Sequence, residues 1–174
     1  DREISKKLSD DVIEMEKMLN EYLQFSRSQS AEETETFDIS ELLNITIKKY
    51  EKEEITVETT NRVYFDGRKN LIRRCFNNLI DNAIKYGSNI NIRLNKTANN
   101  ITITIDDDGP GIPKNERINV FKPFYKIDKS RGDSKSSVGL GLSIASDIIR
   151  SHGGNIILES SQAGGLSVKI FLPF

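Results

Sequence analysis

Strict alternation carries Ile101-Thr102-Ile103-Thr104-Ile105 into three carboxylates, Asp106, Asp107 and Asp108, and then into Gly109-Pro110-Gly111. Apolar residues at every second position place one face of a strand on a core and the other in solvent. The strand ends at the acids, because Gly-Pro-Gly does not continue it. A second glycine turn, Gly139-Leu140-Gly141-Leu142, follows about thirty residues later and opens a helical pattern. Such a chain sets an acid at a strand end and unpaired backbone amides at a helix start, and together these describe a nucleotide site.

The elements around the two turns follow from periodicity. Residues 3–28 read as one amphipathic helix: Leu8, Met15 and Tyr22 recur every seven residues, as do Ile4, Met18 and Phe25, with a polar interruption at Asp11. A stripe of this length needs a partner, expected to be helices of a second chain or of an upstream segment. Residues 29–37, acidic and without apolar period, read as a linker, and 38–174 as the main domain. Within it a helix opens at Asp38 or Ser40, and strands are expected over 55–59 and 62–66 with a turn at Asn61. A long helix follows from Arg68 to Tyr86, stopped by Gly87. Residues 89–94 and 100–106 form a hairpin, helix resumes over 139–151, and strands over 155–159 and 167–172 close the domain. This order predicts an α+β fold: a two-layer sandwich with a mixed, mostly antiparallel sheet, helices on one face and a long amphipathic helix in front.

Composition narrows the function classes. With 36% hydrophobic and 29% charged residues in 174, the chain is globular, and its net charge of −1 gives no case for nucleic acid. One cysteine, Cys75, and one histidine, His152, exclude an internal disulfide and a zinc cluster. No apolar run is long enough to span a bilayer.

Three segments carry chemistry. In the helix ending at Tyr86, Asn78, Asn82 and Lys85 stand at i, i+4 and i+7, within about 60° of arc. A solvated polar stripe is the ordinary meaning of such a triple. Asparagine is a poor residue within a helix, however, and two on one face suggest a ligand: amide oxygens suit Mg²⁺, which shares phosphates with its protein ligands. Lys85 can approach a phosphate and Tyr86 can stack on a base. Asp107 can accept from an exocyclic amine such as adenine N6, while Gly109 and Gly111 admit a flat ligand; Asp106 and Asp108 read as structural or solvated. Gly139 to Leu142 supplies an anion site at a helix start. Between the turns, residues 109–137 hold seven basic side chains against three acidic ones, which suits a lid over a triphosphate. Phe121, Phe124 and Tyr125 are its aromatic anchors.

In this order the segments resemble the ATP-binding domain of bacterial sensor histidine kinases, within the wider group that includes gyrase B, Hsp90 and MutL. Asn78 to Tyr86 resembles the N box, Asp107 to Gly111 the first glycine box, Phe121 to Phe124 the F box and Gly139 to Leu142 the second glycine box. Gly164-Gly165 with Leu172-Pro173 resembles the final strand signature. The likeness spans residues 37–173, and residues 1–28 resemble the second helix of the dimerisation and histidine-phosphotransfer hairpin. The patterns Asn-Ala-x-x-Tyr-Gly and Gly-Gly-Leu-Ser-Val-Lys-Ile are most similar to osmosensing kinases of the EnvZ type.

The resemblance implies ATP and Mg²⁺ as ligands. Asn78 and Asn82 would hold the metal, Asp107 the adenine N6, and Lys85 and Arg131 the phosphates. Gly109, Gly111, Ile112, Tyr86 and Leu140 would complete the nucleotide contacts with the amides of Gly139, Gly141 and Leu142. Asn78, Lys85 and Arg131 form the expected catalytic set. It further implies a homodimer through the N-terminal helix, an OmpR-like response regulator as partner, and a cytoplasmic place in a bacterial inner-membrane protein. In the gyrase, Hsp90 and MutL branch, a water-activating glutamate occupies the position of Asn78, and an amide is no general base. Transfer is thus expected in place of hydrolysis. No acceptor histidine followed by an acid is present, so the acceptor is expected upstream of Asp1, and this chain is expected to bind nucleotide without autophosphorylating. The alternatives are an anti-sigma-type serine kinase and a non-catalytic regulatory module. His152 is expected at a helix C-terminus, interacting with the dipole.

Overall fold

The computed structural model describes residues 2–51, 53–59, 61–127 and 139–173. Helices α1 (Arg2–Ala31), α2 (Ile39–Ile47), α3 (Lys69–Tyr86) and α4 (Gly141–Ser151) alternate with strands β1 (Glu35–Asp38), β2 (Glu54–Thr59), β3 (Tyr64–Gly67), β4 (Asn89–Lys96), β5 (Asn100–Asp107), β6 (Asn155–Ser160) and β7 (Leu166–Pro173). A five-stranded sheet runs β2-β4-β5-β7-β6; β2 lies parallel to β4 and the other pairings are antiparallel.

One face of this sheet is apolar. Ile90, Ile92 and Leu94 of β4 and Ile101, Ile103 and Ile105 of β5 are buried, with Val168, Ile170 and Leu172 of β7 beside them. α3 covers this face with Ile72, Cys75, Phe76, Leu79, Ile80 and Ala83, the stripe expected from its period. The opposite face is polar: Arg93 pairs with Asp106 at 2.5 Å and Lys169 with Glu159 at 2.6 Å. The result is the expected α+β arrangement, mostly antiparallel with helices on one side.

The strands on either side of Asn61 do not form a hairpin. β2 pairs with β4, whereas β3 pairs with β1 in a separate two-stranded sheet. That second sheet begins inside the segment read as a linker: α1 runs to Ala31 and β1 starts at Glu35. In β1 Phe37 is the buried residue, and its ring packs edge-on against Phe65 of β3 at 5.9 Å. Asp38 then caps α2, accepting from the amides of Ser40 and Glu41.

α1 touches the domain at its C-terminal end. Phe25 is 4% exposed, with the Arg74 guanidinium 5.5 Å from its ring centre. Ile4, Leu8, Val12, Met15, Leu19 and Tyr22, by contrast, are 46 to 66% exposed. Among the described residues no helix is long and apolar enough to cross a membrane.

Candidate nucleotide site

Asp107 ends β5 and is 3% exposed. Its Oδ1 accepts from the amide of Gly109 at 2.9 Å and from that of Leu166 at 3.0 Å. The two acids flanking it are structural, as expected. Asp106 is held by Arg93, and Asp108 accepts from the Ser88 and Asn89 amides and the Asn89 side chain. The hydrogen bonds from Asn89 and Ser88 lower the Asp108 pKa to about 2. Asp108 thus stitches the end of α3 to the turn after β5. Gly109 packs so closely on this end that a Cβ would stand 2.6 Å from the Tyr86 carbonyl oxygen. Tyr86 is therefore brought beside Asp107; its ring is 52% exposed and lies 5.2 Å from the Lys85 ammonium.

Asn78 and Asn82 are half-buried on α3. A Cβ on Gly141 would lie 3.9 Å from the Asn78 Cβ, so the start of α4 faces the asparagine row. Among the described residues, none hydrogen-bonds the buried Asn78 amide nitrogen. An orphaned amide is costly unless a ligand satisfies it, so this side chain fits a polar guest between α3 and α4. Two neutral amides give an incomplete coordination shell, which suits an ion whose other ligands are phosphates and water. Among the described residues no cluster of three histidine, cysteine or acidic side chains offers a self-sufficient metal site.

α4 begins at Gly141, two residues later than expected, and among the described residues no side chain caps its start. Leu140 is buried as an anchor, and Gly139 adopts φ +76°. The Gly139 carbonyl accepts from the Phe124 amide at 2.9 Å, so the F-box segment and the second glycine turn are pinned together. The amides of Gly139, Gly141 and Leu142 are those expected to take phosphate, and the last two open α4. Ile112 is half-buried against the core after Gly111, which holds φ +69°.

The basic segment is only partly what its charge suggested. Arg117 is a structural tie: its guanidinium donates to the carbonyl of Ile112 at 3.0 Å and to Ser160 Oγ at 2.9 Å. Lys122 donates to Asn119. Phe121 and Tyr125 pack on the core, Tyr125 bonding Glu116, whereas Phe124 is exposed with φ +65°. Arg131 lies outside the described residues.

His152 stands at the C-terminus of α4 as expected, and it meets the helix end as a neutral ring. It caps α4, its Nδ1 donates to the Ile148 carbonyl at 2.7 Å, and its Nε2 accepts from the Arg68 amide at 3.0 Å. Burial lowers its pKa, which keeps the ring neutral as these two bonds require. Both nitrogens are committed.

Two groups escape a reading of the sequence. Leu166 and Gly165 reach Asp107 from a turn 59 residues away, through backbone atoms that leave no side-chain signature. Glu32, in the supposed linker, caps α3, accepting from Asn70 and Leu71. It stands 38 residues from Asn70 in sequence, so nothing local to α3 announces the cap.

A mixed sheet under helices, a strand-end acid and a helix start facing Asn78 define a nucleotide-binding α/β sandwich. The chain belongs to the histidine kinase-, DNA gyrase B- and HSP90-like ATPase family, whose profile matches residues 67–174. It is 32% identical over 99% of its length to the sensor histidine kinase GtrS of Pseudomonas aeruginosa, and 32% identical over 91% to CpxA of Escherichia coli. It spans 36 to 37% of the length of these two relatives. Among solved structures, the ATP-binding domain of PrrB from Mycobacterium tuberculosis matches 80% of this chain and 96% of its own, at 25% identity and a TM-score of 0.68. The chain is a histidine-kinase-type ATP-binding domain with an N-terminal helix.

Proposed function

We propose that the chain is the catalytic part of a two-component sensor histidine kinase, delivering the γ-phosphoryl group of MgATP to a histidine outside these 174 residues. The observation that carries this reading is the amide, not a carboxylate, of Asn78 facing the start of α4. At the same distance from a terminal phosphate a glutamate would activate water; an amide can only orient and ligate. The site then protects the phosphoryl group from hydrolysis, and catalysis is positioning and charge neutralisation.

Asp107 accepts from the base amine, Tyr86 flanks the adenosine, and the amides of Gly141 and Leu142 receive phosphate oxygens. Gly109, Gly111, Ile112, Gly139 and Leu140 shape the walls. Asn78 and Asn82 would hold Mg²⁺, which when bound draws the phosphate charge together. Lys85 and Arg131 are assigned to the phosphates. His152 is unsuited as acceptor, with both ring nitrogens engaged.

The exposed stripe of α1 supports a homodimer through this helix. We assign domains to 1–28, 29–37 and 38–174 on the same reading, with Glu32 and β1 tying the middle segment to the third. The relatives' names support a response regulator as partner, OmpR-like by the sequence resemblance, and a cytoplasmic position beneath a membrane-anchored sensor. Titration with a fluorescent ATP analogue tests the reading: saturable binding that strengthens with Mg²⁺ is expected, and its absence overturns it.

A further inference from the structure

We propose that the β6–β7 turn determines base selectivity at this site by fixing which oxygen of Asp107 faces the ligand. The proposal rests on the reading of Asp107 as the base-contacting carboxylate. Asp107 Oδ1 is held by two backbone donors, one local from Gly109 and one from Leu166 at the start of β7. Among the described residues no donor reaches Oδ2. A buried carboxylate gripped on one side cannot rotate freely, so its acceptor oxygen is presented in a single direction.

The grip requires Gly165. A Cβ at this position would stand 2.2 Å from Asp107 Oδ1, 2.3 Å from the Asp107 carbonyl oxygen and 2.5 Å from the Gly109 amide nitrogen. Two of these atoms are backbone, and the third is the pinned oxygen itself. Gly165 also supports the opposite wall, its carbonyl oxygen standing 3.2 Å from where a Cβ on Gly111 would be. Gly164 differs. It has φ +100°, and a Cβ there would meet nothing within 4 Å, so it serves the turn's conformation and does not touch the pocket.

The chemistry follows from the grip. An ionised carboxylate is acceptor-only and matches the 6-amino group of adenine; it meets the 6-carbonyl of hypoxanthine or guanine with repulsion. Two N–H donors on one side demand an acceptor there. Asparagine at position 107 would satisfy them with its carbonyl oxygen and turn its amino group toward the ligand. The pocket would then offer a donor where it offered an acceptor, favouring a 6-oxo purine.

Displacement of a fluorescent nucleotide by ADP and by IDP, on wild type, Gly165→Ala and Asp107→Asn, tests this. IDP carries a 6-oxo group and a ring N1–H where ADP carries the 6-amino group and a bare N1, so it reverses the hydrogen-bonding sense of this edge alone. Wild type should prefer ADP by roughly tenfold or more, the scale of one mismatched buried polar group. Gly165→Ala should bring the ADP-to-IDP ratio close to one, and Asp107→Asn should invert it. A folded Gly165→Ala with the wild-type ratio overturns the proposal. If Gly165→Ala does not fold, the near-isosteric Asp107→Asn decides: retained ADP preference, or equal loss of both ligands, overturns it. Absence of saturable ADP binding in wild type overturns instead the nucleotide reading on which the proposal stands.

Discussion

Glu32 caps α3 through Asn70: its carboxylate accepts from the Asn70 amide at 2.6 Å and, with its other oxygen, from that of Leu71 at 3.2 Å. The residue before the helix, Arg68, supplies no side-chain cap. A carboxylate at a helix start satisfies amides that have no intrahelical partner and opposes the positive end of the dipole. Glu32→Ala should therefore cost about 1 kcal/mol. Glu32→Gln should cost less, since it keeps an acceptor and loses the charge. Urea unfolding of both variants measures the difference, and an unchanged midpoint for Glu32→Ala would show the cap to be idle.

Phe25 is the other tether of α1, buried beneath Arg74. Removing a buried phenylalanine side chain costs about 3 kcal/mol or more when the site cannot collapse. Here the loss should fall mainly on docking, because Ile4, Leu8, Val12, Met15, Leu19 and Tyr22 of the same helix are exposed. Phe25→Ala should speed proteolysis around residues 26–34 while β4 to β7 keep their amide protection. Equal cleavage rates in wild type and variant would contradict this.

These two tethers also mark where the sequence stops being legible. The β4–β5 hairpin can be read because its pairing is local and its alternation continuous: Ile92 faces Ile105, and Leu94 faces Ile103. β1 cannot, since one buried residue in four gives no period, and its partner β3 lies across α2 and β2. The parallel β2–β4 pair is hidden for the same reason: its strands are separated by β3 and α3, and only the completed sheet selects it. The candidate site divides similarly. Asp107 and the glycines announce themselves by residue type. The Leu166 amide, Gly165 and the Glu32 cap act through backbone groups or across long separations, which composition and spacing do not encode.

His152 links the C-terminus of α4 to the residue preceding α3, and it does so as a neutral ring. Its folded-state pKa lies below the usual 6.5, burial being the main cause. Protonation is then disfavoured in the folded state, so the stabilisation is present above pH 6.5 and is lost as pH falls from 6.5 toward the lower folded value. Subtracting His152→Ala from wild type removes the titration of the other groups. The stability difference between the two should shrink between about pH 7.5 and about pH 5. A flat difference would mean that folding leaves the ring's titration unchanged, and one that grows toward acid that the ring is held as a cation; either outcome contradicts the prediction.

Asn82 provides the sharpest separation of metal from base recognition. It lies one turn beyond Asn78 on the same face of α3 and is not one of Asp107's two backbone donors, Gly109 and Leu166. Replacing it with alanine removes a neutral oxygen ligand and leaves the base pocket intact. Nucleotide affinity in Mg²⁺ should fall about tenfold, equivalent to roughly 1.4 kcal/mol. Affinity in EDTA should barely change, so the Mg²⁺ dependence itself should largely vanish. Aspartate at the same position should instead steepen that dependence, because a carboxylate repels phosphate without the ion and ligates the ion when it is present. If Asn82→Ala binds MgATP as tightly as wild type, the metal lies elsewhere, and Asn78 with its orphaned amide becomes an orienting group alone.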